Sequence, residues 1–134
     1  MKRFLPLAAL VLLGATPAFA EQRTPPTAEQ VLAKVDQRLD RIGASEQQRE
    51  TIHGLVEGAF EQREAFRDEA RSIRGSMHDL LWAEDIDQKG LERLRKDGVD
   101  LFDRMTEFGL NHMISVAQVL TPEQRVAVHD LAAE

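Results

Sequence analysis

Three side chains in this sequence are of types that can hold a divalent metal and stand where a fold could gather them. His53 and Glu57 are four residues apart, which places them on one face of a helix. His112 belongs to a later helix and reaches a nearby height if the two helices fold back on each other. Two imidazoles and a carboxylate are a plausible N/O set for Zn²⁺ or another divalent ion. Against that reading, the chain contains no HxxxH and no HExxH, and His78 and His129 lie far along the polypeptide. The three therefore stand as weak metal candidates, and a zinc-type cofactor as the alternative to none. Catalysis has less to draw on. There is no cysteine, hence no thiol nucleophile, and neither a GxSxG nor a phosphate-binding glycine loop occurs. The carboxylates are spread over faces that read as solvated. No catalytic residue is assigned, and a binding protein is expected rather than an enzyme.

The most regular chemistry in the chain is hydrogen-bonding at helix starts. In a capping box, Ser or Thr accepts from the backbone N–H three residues on, and a Glu or Gln there reaches back to the cap. The pattern occurs at Thr27–Gln30, Ser45–Gln48 and Thr121–Gln124. In the third, Pro122 occupies the first helical position, where a missing N–H costs nothing. Asp87 can cap a further start.

These caps imply four helices. The first runs from about Ala28 to Ile42, with Val31, Leu32, Val35, Leu39 and Ile42 on one face and Gly43 suited to the left-handed stop. The second follows Ser45 to about Trp82, with a seam of Ile52, Val56, Ala59, Arg63, Phe66, Ala70, Ile73, Met77 and Leu80. The third spans about Gln88 to Val119, carrying Leu91, Leu94, Gly98, Leu101, Met105, Phe108, His112 and Val119, with Phe102, Val116 and Leu120 widening the stripe. The last runs from Pro122 to about Ala132. No proline interrupts residues 27–121, and strand-like alternation is rare. The fold class is all-α, short-long-long-short, the long pair forming an antiparallel hairpin.

Several positions stay open at this level. Arg63 sits on the apolar seam, so it either extends its head to water or meets an acidic group of a second subunit. Gly58 and Gly109 fall at neighbouring heights, either for close backbone approach or to loosen the hairpin. Trp82 reads as a lid over the end of the bundle or, alternatively, as an anchor for a client. Met77, Met105 and Met113 could supply an adaptable apolar surface. Helices 1 and 4 are too short to cover a hairpin this long, so the surplus apolar surface calls for a second chain.

The N-terminal twenty residues read as a cleavable signal peptide. Lys2 and Arg3 precede an apolar run, Leu5 to Leu13, and Ala18-Phe19-Ala20 fits signal peptidase, with cleavage after Ala20. The run is too short to span a bilayer and no lipid-anchoring cysteine follows, so no membrane anchor is expected. Glu21 to Pro26 reads as a disordered leader and 27–134 as a single domain. Beyond Ala20 there are 15 basic and 23 acidic residues, a net −8, which argues against nucleic acid and anionic lipid as partners.

Leu120-Thr121-Pro122-Glu123-Gln124-Arg125 resembles the LTxxQ motif of the Spy/CpxP family of periplasmic proteins, which carries two copies. The other here is Ala44-Ser45-Glu46-Gln47-Gln48-Arg49, in which Ala44 stands for the leucine while Ser45, Gln48 and Arg49 are kept. The resemblance spans the mature chain. It implies a cradle-like homodimer of interlocked hairpins in the periplasm. It further implies an ATP-independent chaperone of unfolded or misfolded envelope proteins, or an accessory of the envelope stress response that contacts a sensor kinase's periplasmic domain. Relatives of the same fold bind zinc or sense heavy metals and serve metal resistance. The sensors bring histidines from helix 1, which has none here.

Overall fold

The computed structural model of the protein describes residues 25–133. The expected signal peptide with its expected cleavage after Ala20, residues 21–24 of the expected leader, and Glu134 lie outside them. All regular structure among the described residues is helical: α1 (Ala28–Arg41), α2 (Glu46–Leu81), α3 (Gln88–Val119) and α4 (Pro122–Ala132). The expected short-long-long-short order is observed. Two ends move by a residue, since Ile42 and Trp82 are C-caps and not helical positions.

Each start is capped as its sequence requires. Thr27, Ser45 and Thr121 all form complete capping boxes, and the Asp87 carboxylate accepts from the Gly90 amide at 2.9 Å. α1 stops because Gly43 adopts φ +65°, which lets Ala44 donate to Leu39 O at 3.0 Å and Gly43 to Asp40 O at 3.2 Å. That stop turns the chain at once into the Ser45 cap of α2.

α2 and α3 have 36 and 32 residues, about 50 Å each at 1.5 Å per residue, and pack as an antiparallel hairpin. The core is concentrated away from the hairpin tip. Leu39 of α1, Ile52 and Val56 of α2, and Leu120 after α3 form one buried cluster, against which Val35, Phe60, Val116 and Val128 pack. Farther along, Phe66 meets Phe108 edge-on, with ring centroids 5.8 Å apart, and Leu101 is buried. Arg104 of α3 crosses to Glu69 of α2 and also pairs with Asp100.

Two expectations are corrected near the ends. Trp82 is not a lid: it is 73 % exposed, because the bundle at the tip is only two helices thick and has no interior to cover. Gly58 and Gly109 are not points of close approach, since a Cβ at either would meet nothing within 4 Å. The glycine that packing does require is Gly90, where a Cβ would lie 2.7 Å from Leu80 Cδ1 and collide with the Asp87 carboxylate.

Candidate binding surface

The two LTxxQ-like boxes meet in space. Gln48 and Gln124 each close their own capping box through Oε1, which accepts from Ser45 N and Thr121 N at 2.9 Å. The same amides then bond to each other: Gln48 Nε2 donates to Gln124 Oε1 at 2.8 Å, and Gln124 Nε2 to Gln48 Oε1 at 3.1 Å. Gln48 Nε2 also reaches Val119 O, the last carbonyl of α3, at 2.9 Å. One pair of amides thus ties the start of α2 to the α3–α4 corner.

The remaining motif positions brace the same corner. Leu120 enters the core at 7 % exposure, while Ala44 packs against that core only half-buried. Arg125 Nη1 donates to Leu120 O at 2.9 Å and Ala117 O at 3.2 Å, where a cation satisfies orphan carbonyls at a helix end. Arg49 pairs with Asp36 and Asp40 of α1. His53 Nε2 lies 2.7 Å from Asp36 Oδ1. The His53 ring first, and then the Arg49 guanidinium, hold the Asp36 carboxyl below its ordinary value of 3.8.

Above this corner opens a groove of about 520 Å³ between all four helices. Its floor is apolar, with Val35 and Leu39 from α1, Val56 and Phe60 from α2, and Val116 from α3 among its residues. Every charged or titratable side chain along it is basic or histidine: Arg38, Arg63, Arg125, His112 and His129. In a chain with 23 acidic residues, an acid-free groove is a marked segregation of charge. Arg63, unassigned from the sequence, stands on this rim. Its charge, after burial, is the second cause that pushes the His112 imidazole below 6.5. His112 is half-buried and stacks on Phe108, with centroids 6.2 Å apart.

The helical order and the paired motifs agree with a family model described as "Heavy-metal resistance", which matches residues 4–127. The chain belongs to this family. Its fold is that of the Spy/CpxP-like LTxxQ proteins. No curated protein and no solved structure is similar enough to this chain to match it.

The family's description raises the question of an ion, and the donors in hand do not fit one. His53 is engaged by Asp36 of α1, Glu57 is exposed, and His112 faces Arg63 and Phe108. Among the described residues, no three His, Asp or Glu side chains are grouped so as to hold a metal. The three sequence candidates are therefore not brought together.

Sequence reasoning treated the motif positions as caps and missed their mutual clasp. It also missed Asp36 and Asp40 as partners of Arg49. Their spacing of four along α1, facing a motif arginine, is the signal that identifies them.

Proposed function

We propose that this member of the heavy-metal resistance family acts as a periplasmic, ATP-independent binder of unfolded or misfolded envelope proteins, working as a homodimer and without catalysis. The observation that carries this reading is the apolar surface left uncovered. Among the described residues, Val99, Phe102, Leu110, Met113 and Val126 are each 55 to 68 % exposed, while not one side chain is below 2 %. Apolar patches of this kind mark sites of protein interaction. Their burial is non-directional, so it suits clients that share only apolar segments. The deciding experiment is suppression of aggregation of a chemically unfolded model protein by the purified mature chain. Aggregation is expected to fall at stoichiometric amounts; unchanged aggregation at severalfold excess removes the chaperone reading.

The family's description favours one rival, a protein that binds or senses a divalent metal. Calorimetric titration with Zn²⁺, Cu²⁺ and Ni²⁺ separates the two. Because His53, Glu57 and His112 do not converge, no micromolar site is expected. Tight binding abolished by His112→Ala would establish the metal reading instead.

A further inference from the structure

We propose that the four-helix groove binds a single long-chain fatty acid, with its carboxylate held by Arg63 and His112 and its acyl chain laid along the apolar floor towards Ile52. The site is separate from the surface assigned to unfolded clients: of Val99, Phe102, Leu110, Met113 and Val126, only Met113 lines the groove.

The first argument is charge. Arg67, Arg71, Arg95 and Arg104 each pair with an acid three or four residues away on the same helix. Arg63 has no such neighbour, because Ala59, Phe60, Phe66 and Arg67 occupy those positions around it. Among the described residues its guanidinium makes no side-chain hydrogen bond or ion pair. It faces His112, whose imidazole is pushed below 6.5 by burial and then by Arg63, and no carboxylate lines the groove. A guanidinium and an imidazole brought together without a counter-charge favour an incoming anion, and the guanidinium fork matches a carboxylate. The other cations of the groove are placed differently. Arg125 is spent on Leu120 O and Ala117 O, and His129 Nδ1 lies 3.3 Å from Asp130 Oδ1. Arg38 is exposed and level with Arg49 and His53, since Asp36 and Asp40 on either side of it reach them. It therefore stands at the Ile52 end.

The second argument is shape. Along α2 the groove runs from Ile52 to Arg63, about 16 Å at 1.5 Å per residue. Val56, Phe60, Met113 and Val116 line the interval, with Val35 of α1 and Val128 of α4 beside them. A fully extended chain advances about 1.2 Å per bond, so the floor matches roughly 13 bonds, the length of a fourteen-carbon acyl chain. The groove volume of about 520 Å³ falls within the roughly 300–1,000 Å³ of small-molecule sites. Buried Leu39, Ile52 and Leu120 and the Gln48–Gln124 clasp close the far end. A blind apolar end suits a methyl terminus, which needs neither an exit nor a polar partner. A polypeptide would bring backbone N–H and C=O groups onto a floor that leaves them unbonded, at a cost an acyl chain does not bear.

The test is titration of the mature chain with sodium myristate, held below the concentration at which the soap self-associates. Binding should be saturable at one molecule per chain. Myristyl alcohol, which has the same tail and no charge, should bind about tenfold more weakly or worse, and hexanoate should not compete. Arg63→Gln should lower myristate affinity about tenfold or more and leave the alcohol unaffected. The exposed position of Arg63 makes unchanged helicity by circular dichroism the expected control. Val116→Phe, which fills the floor, should weaken both ligands. Leu110→Ser with Val126→Ser, outside the groove, should weaken neither. Equal binding of acid and alcohol, or indifference to Arg63→Gln, overturns the inference and leaves only uptake on exposed apolar surface. Absence of saturable binding also overturns it. Sedimentation and client protection by Arg63→Gln then show whether a second copy or an unfolded polypeptide occupies the groove instead.

Discussion

Gln48 and Gln124 exchange side-chain hydrogen bonds in both directions although 76 residues separate them. Each amide has already closed a capping box, so a local device for starting a helix doubles as a long-range tie. The tie joins the α1–α2 corner to the α3–α4 corner, adding to the Arg125 bonds and the Val128 packing that also hold α4. Repetition of the motif is thereby explained physically: each copy supplies the other's partner.

Gln124→Ala should therefore cost more than a cap. It removes the side-chain half of the α4 box and one of the two acceptors of the part-buried Gln48 Nε2, the other being Val119 O, a loss of about 1–3 kcal/mol by the usual cost of an unsatisfied polar group. Gln30 is the built-in control, since among the described residues its box at Thr27 has no cross-helix partner. Gln30→Ala should lose no more than about 1 kcal/mol. Urea titrations of both variants, and a double-mutant cycle of Gln48→Ala with Gln124→Ala, check the difference. Equal losses for Gln30 and Gln124 would show that the clasp contributes nothing.

Gly90→Ala should destabilise the hairpin, whereas Gly54→Ala and Gly75→Ala should stabilise it. All three lie within helices, where alanine is favoured by up to about 1 kcal/mol. A Cβ at Gly54 or Gly75 meets open space, so that preference is realised there. At Gly90 it would strike Leu80 and the Asp87 carboxylate that caps α3, which outweighs propensity. Thermal midpoints should move in opposite directions.

Mild acid should first loosen the groove, and stronger acid should release α1. His112 is held below 6.5 by burial and then by Arg63, so the folded state binds fewer protons there than the unfolded chain. Its contribution is present above 6.5 and declines as pH falls below that value. Asp36 is held below 3.8 by His53 and Arg49, with Asp40 also beside Arg49. Its contribution is present above 3.8 and is lost as pH falls through the lowered value. Stability measured from pH 7 to 3 should show the first decline removed by His112→Gln and the second reduced by Asp36→Asn. A profile that neither variant alters would contradict the assignment.

How far the sequence alone reaches is clear from particular residues. Thr27, Ser45, Asp87 and Thr121 announce the four helix starts because capping is a local act, complete within four residues. Gly43 announces a stop for the same reason. Non-local facts escape. Nothing near Gln48 says that Gln124 will lie against it, and Gly58 and Gly109, matched in height, turn out to face open space. The metal candidates fail in the same way. Heptad spacing brings His53 and His112 to similar heights but does not set which way each turns, and Asp36 of α1 takes His53. Trp82 was misread because an aromatic at a bundle end suggests a lid only where more than two helices leave an interior to close.

Stability and client holding should separate cleanly by exposure. Leu120 is 7 % exposed and packs with Leu39, Ile52 and Val56, so Leu120→Ala opens a cavity costing about 2–5 kcal/mol. Leu110 and Val126 are 55 and 61 % exposed, and polar replacements at such positions shift stability by about 0.5 kcal/mol or less. If the uncovered apolar surface grips unfolded chains, Leu110→Ser with Val126→Ser should melt like wild type yet protect a model client less well. Leu120→Ala should melt earlier and protect normally at temperatures where it remains folded. Full protection by the doubly polar variant would place the client surface elsewhere, on the Ile114 side or in the groove itself.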